Sequence, residues 1–166
     1  MSVTISCRTP AARRFAPHAR GRAAEILRVL GLGRDELSVS LVDDAEIRTL
    51  NATYRRRDRA TDVLAFALTE SIAPDAPVAV AAIGRGGRLL GDVVISIDTA
   101  AAQARADRCT VKDRLDALLI HGVLHLVGYD HARSPTEERR MTRKEREVRA
   151  ALTSRAGRVR RVGADG

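Results

Sequence analysis

A chain of 166 residues, 45% apolar and 30% charged, has the size and balance of one globular domain that folds without disulfides or a structural metal. It holds no apolar run near the 18 or so residues that span a bilayer, which excludes an integral membrane role; Cys7 and Cys109 stand apart, which excludes a disulfide framework and a cysteine zinc cluster and suits a reducing, cytoplasmic setting. Lys and Arg number 29 against 21 Asp and Glu, a net +8, and such a field attracts polyanions such as nucleic acid.

Ser2 to Cys7 alternates with period two, as does Leu37 to Val42, and both read as strands with one buried face. Residues 8–22 are Arg-rich with no acid before Glu25, a composition transit peptides share, but the alternation of Val3, Ile5 and Cys7 favours a folded start. A helix is expected over 17–30, where Ala23, Ile26, Leu27 and Leu30 form a stripe that Gly31 closes, and His18 is expected at its surface. Asp43 or Asp44 caps a second helix bearing Ile47, Leu50 and Tyr54.

Buried strands are expected at 62–68 and 92–97, joined by a loop or loose hairpin turn that contains Pro74, Pro77 and Gly84 to Gly87. An Ala-rich helix follows at 100–106. Thr110 and Asp113 have capping-box form, and the segment through Val127 is apolar almost all round, so it reads as a buried central helix ended by Gly128. Ser134-Pro135-Thr136-Glu137 starts a last helix, expected to reach about residue 152. Strands mixed with helices in this order predict an α+β fold, a small mixed sheet packed with helices. One domain at 1–152 is expected, followed at 153–166 by a basic, disordered tail with four Arg against one Asp.

Three of the four histidines fall in His121-Gly-Val-Leu-His-Leu-Val-Gly-Tyr-Asp-His131. Positions i and i+4 share a helix face, so His121 and His125 can present ring nitrogens to one point, and a left-handed Gly128 can bring His131 back to it. A single histidine here would read as an ordinary core residue; three at this spacing read as ligands. Three neutral imidazoles suit one zinc ion per chain and leave a fourth position open, the mark of a catalytic site. A water there becomes a nucleophile at neutral pH. Asp130 or a backbone carbonyl is the expected acceptor behind one ring. The spacing also matches the metzincin peptidase motif, except that Gly122 stands where the general-base Glu belongs.

Arg55, Arg56, Arg57 and Arg59 lie between the second helix and the first buried strand. Taken alone they read as a solvated helix end; beside a metal, a guanidinium fork suits a phosphodiester. The only aromatics are Phe15, Phe66, Tyr54 and Tyr129, so nucleic-acid binding would be backbone-driven and salt-sensitive.

These segments resemble the YbeY family of bacterial rRNA-maturation endoribonucleases. His121 to His131 has that family's H-G-x-L-H-L-x-G-Y-D-H form in full; Tyr54-Arg-Arg-Arg-Asp-Arg-Ala-Thr-Asp-Val-Leu-Ala-Phe66 is similar to Y-R-G-K-D-K-P-T-D-V-L-S-F, and Leu90-Gly-Asp-Val-Val-Ile-Ser96 to L-G-D-I-x-I-S. The resemblance implies a zinc-dependent, single-strand-specific endoribonuclease acting on the 3′ end of small-subunit (16S) rRNA and in ribosome quality control, with the small subunit and its proteins as partners. His121, His125 and His131 match the family's ligands, Arg55 its functional arginine, and Arg57 and Arg59 keep the charge of its lysines as substrate-binding residues. Arg56, Ala60 and Ala65 depart from the pattern. Two other readings stay open: a zinc peptidase, and a noncatalytic rRNA-binding assembly factor with structural zinc.

Overall fold

In the computed structural model, which describes residues 2–68 and 87–162, with side chains to residue 155, four strands form one sheet. β1 (Ser2–Cys7), β2 (Glu36–Val42), β3 (Val63–Ala67) and β4 (Leu89–Ser96) lie in the order β1-β2-β4-β3. The first three of that order run parallel, and β3 pairs antiparallel with β4 at the far edge. Alternation assigns the faces. Leu37, Val39, Leu41, Val93 and Ile95 enter a large core, whereas Val42, Leu64 and Val94 enter a smaller one behind the sheet.

Among the described residues six helices cover the two faces: α1 (Pro10–Arg13), α2 (Ala16–Val29), α3 (Asp44–Arg55), α4 (Ile97–Ala106), α5 (Val111–Leu126) and α6 (Pro135–Val162). Ile26 and Leu27 of α2, Leu115 and Leu119 of α5, and Met141 and Val148 of α6 share the large core, while Ile47 of α3 packs into the smaller one. The fold is the expected α+β arrangement of a mixed sheet and helices, with α5 buried at its centre.

Caps set several boundaries. The Asp43 carboxylate accepts the Glu46 N–H at 2.9 Å, so Asp43 rather than Asp44 caps α3. Thr110 and Asp113 close the capping box of α5 in both directions, at 3.0 and 3.2 Å. Ser96 Oγ accepts the Thr99 N–H, which starts α4 at Ile97 and removes that residue from the strand expected over 92–97. The helix expected at 17–30 is preceded by the separate turn of α1, capped by Thr9. α6 continues past the end expected near 152 to Val162; the segment contains no proline, and Arg and Ala propagate a helix readily. The loop or loose hairpin turn expected around Pro74, Pro77 and Gly84 to Gly87 lies, apart from Gly87, outside the described residues.

Gly91 explains one motif. At φ 142° a Cβ there would sit 2.1 Å from the Phe66 carbonyl oxygen, and the β2–β4 register steps at this point from Leu89 opposite Glu36 to Gly91 opposite Leu37. The strand takes one extra residue and bends, as a bulge does. This bend stands beside β3, which forms one wall of the cleft described next.

Candidate active site

α5 presents His121 and His125 one turn apart, and its C-terminus supplies the third ring. Gly128, at φ 102°, donates its N–H to His125 O, and Tyr129 donates to Leu124 O, both at 3.1 Å. This Schellman turn reverses the chain. His131 returns so that the three ring centroids lie 4.7–5.2 Å apart. One nitrogen from each ring lies within 4.8 Å of the other two. The two Nε2 atoms of His121 and His125 are 3.2 Å apart, close to the ~3.3 Å edge that tetrahedral zinc–nitrogen bonds of about 2.0–2.1 Å require. The donor set and spacing fit one such ion.

The carboxylate behind the rings comes from α6. His121 Nδ1–H donates to Glu145 Oε1 at 2.7 Å, which leaves Nε2 of the same ring as its ligand atom. Asp130, expected in this role, lines the same cleft but is used within its own turn: its Oδ1 accepts the Ala132 N–H at 2.9 Å and its Oδ2 faces Arg133 at 3.6 Å. Hydrogen bonding to His121 holds the Glu145 carboxyl below its usual range. Burial, and then the neighbouring His121 and His131, push His125 below the ordinary imidazole value, with Arg55 adding to the shift and Asp130 opposing it. A depressed pKa keeps the ring neutral and able to ligate.

The histidines form one wall of an open cleft of about 710 Å³, and Arg55, Arg57 and Arg59 form another. Arg55 ends α3. Its Nη2–H donates to the Ala65 carbonyl at 2.6 Å, and its Cζ lies 5.1 Å from the Phe66 ring centroid. Ala65 makes this contact through its backbone, so the exchange of Ser for Ala leaves it intact. Arg56 adopts the left-handed conformation, φ 55°, that closes the helix; glycine is the residue that adopts it without strain, and the resembled motif has Gly there. Buried Asn51 holds the loop that follows, its side-chain N–H donating to Arg59 O at 2.9 Å and its backbone carbonyl accepting the Arg57 N–H at 3.2 Å. Asp62, accepting from Gln103 Nε2 and the Val63 N–H, fixes the far end of the same wall.

Gly122 lies on the sheet side of α5. A Cβ there would stand 2.7 and 3.1 Å from the two methyls of Val93 and 3.5 Å from Val63. The Glu of the peptidase motif has no room at this position, which counts against the peptidase reading. Glu145 and Asn51 were not singled out from sequence. Glu145 was within reach, because Met141, Glu145, Val148 and Leu152 fall at i, i+4, i+7 and i+11, and an acid on an apolar stripe is an anomaly. His18 is no surface residue: it is half-buried on α2 and bonded to Asp116 at 2.7 Å, with Arg22 on the other carboxylate oxygen.

Comparison with known proteins agrees with the geometry. A family profile described as Endoribonuclease YbeY matches residues 12–153. The chain belongs to the YbeY family. It is 47% identical over 151 residues, 91% of this chain and 72% of the other, to the endoribonuclease YbeY of Anaeromyxobacter sp. (strain Fw109-5). With the Aquifex aeolicus YbeY it shares 42% identity over 127 residues, 76% of this chain and 77% of that one. A solution structure of a Thermotoga maritima protein superposes with a TM-score of 0.55 at 25% identity, covering 92% and 93% of the two chains. Two of the three YbeY-like motifs read from sequence line the cleft, the histidine run and the Arg loop; the third lies in β4, paired with the β3 residues that line it.

Proposed function

We propose that this chain is a zinc-dependent, single-strand-specific endoribonuclease acting in the cytoplasm on the 3′ end of small-subunit (16S) rRNA and in ribosome quality control. The observation that carries the reading is the junction of three convergent imidazoles with an arginine loop across one open cleft. Relatives named endoribonuclease YbeY support the substrate class. His121, His125 and His131 would hold the ion. When bound, zinc supplies a Lewis acid beside the scissile phosphate and access to a nucleophile at neutral pH.

The chain's own groups do the rest. Arg55, steadied by Ala65 and Phe66, offers its planar fork to a phosphate oxygen and offsets the negative charge that grows as the phosphorus is attacked. Arg57 and Arg59 bind the neighbouring backbone, and Asn51 keeps their loop in place. A substrate 2′-hydroxyl as nucleophile leaves a cyclic phosphate, whereas water leaves a linear one, so the products identify it.

Cleavage of a single-stranded RNA by metal-quantified protein tests the reading. Wild type is expected to carry about one zinc per chain. Arg55→Glu is expected to lower cleavage at least about 100-fold, the scale for removing one charge-stabilising donor. A folded, zinc-free His125→Ala is expected to be inactive. Equal cleavage by all three preparations overturns the proposal in favour of the noncatalytic assembly factor.

A further inference from the structure

α6 has two faces of opposite character. Met141, Val148 and Leu152 are buried, and half a turn round the helix Arg139, Arg143 and Arg146 stand exposed at i, i+4 and i+7. Among the described residues no acidic side chain meets Arg143 or Arg146. Three of the helix's four acids are engaged elsewhere: Glu145 on His121, Glu137 on Arg140 at 3.8 Å and Glu147 on Lys144 at 3.1 Å.

An arginine face alone is ordinarily a solvated one. This one leads into the cleft. Arg140 places its Cζ 5.2 Å from the centroid of Tyr129, and Tyr129 and Arg133 both line the cleft that holds the histidines. Basic groups therefore run from the Arg55 loop past Tyr129 onto the outer side of α6, where Arg139 to Arg146 cover roughly 10 Å of helix axis.

We propose that this face is a track for the RNA segment flanking the cleaved bond, a single strand whose reacting phosphate lies in the cleft and whose backbone continues along Arg139, Arg143 and Arg146. The proposal rests on the endoribonuclease reading. Contacts of this kind hold and orient a strand without reading its bases. They add affinity only for RNA long enough to reach them.

The test measures binding of the full-length protein to 2′-O-methyl RNA, which resists 2′-hydroxyl attack, across a range of salt. Two lengths serve, about 4 and about 16 nucleotides, the limits of single-strand site sizes on small folds. For the longer RNA, Arg139→Ala/Arg143→Ala/Arg146→Ala is expected to weaken binding and to reduce the slope of log K against log salt by about 2, since each phosphate contact on a single strand contributes about 0.7. Binding of the shorter RNA, cleavage of a short unmodified RNA and the urea unfolding midpoint are expected to match wild type. An unchanged slope with the longer RNA overturns the track and leaves the face to an acidic protein partner. A wild type that binds both lengths equally overturns it as well. If wild type neither binds nor cleaves any RNA, the endoribonuclease reading fails, and the track with it.

Discussion

Glu145 reaches across from α6 to accept a hydrogen bond from the Nδ1–H of His121, and so settles which nitrogen of that ring faces the cleft. Removing such a partner commonly lowers metal affinity about 10–100-fold. Glu145→Gln keeps the size of the side chain but loses the charge, so zinc affinity, measured by competition with a chelator, is expected to fall within that range. Unchanged affinity would falsify the positioning role. Arg55 shows a different situation, a side chain whose partners include a backbone carbonyl and an aromatic face. Such partners tolerate the departure at position 65, where only the side chain has changed.

At the scale of elements, the approach of α5 to the sheet decides where the histidines sit. Gly122 packs against Val93, itself fully buried, so the helix lies closer to β3 and β4 than any side chain would allow. Gly122→Ala gains about 1 kcal/mol of helix propensity but drives a methyl to within 2.7 Å of Val93, and overpacking of this kind costs about 1–3 kcal/mol. The expected net result is a lower urea midpoint. A midpoint equal to or above that of wild type would show that α5 can shift at no cost. The turn at Gly128 works with this packing: α5 sets two histidines against the sheet edge, and the Schellman turn returns the third to them.

Over the whole molecule, acid weakens the fold through this same site. In the metal-free protein burial and the neighbouring imidazoles hold the His125 pKa below the ordinary imidazole value of 6.5, so between that value and the folded one the unfolded chain binds more protons. Stability is therefore fully present above about 6.5 and falls as pH drops toward the folded value. Glu145, held below 4.5 by His121, extends the loss to lower pH, since its contribution disappears as pH falls through its folded pKa. Urea midpoints of the metal-free protein from about pH 7.5 to about pH 5, spanning the ordinary imidazole range, are expected to decline, and His125→Ala to decline less steeply. Parallel declines would place the acid sensitivity elsewhere. Among the described residues no helix is long and apolar enough to cross a membrane.

Much of this was legible in the sequence by itself, for a physical reason. Spacing along a helix, period-two alternation and caps such as Thr110 with Asp113 are local, so the histidine pair, the approximate places of the strands and the start of α5 follow from neighbouring residues alone. The three motifs that resemble the YbeY family lie within single stretches of chain for the same reason. Tertiary structure decided the partnerships between distant segments. Only packing shows that Glu145 rather than Asp130 is bonded to a ring of the histidine cluster, that His18 is tied to Asp116, that Gly122 lies against Val93, and that the Arg55 loop faces the histidines across one cleft. Each of these pairs residues from different elements, and how those elements pack is set by the whole core rather than by any one stretch of sequence.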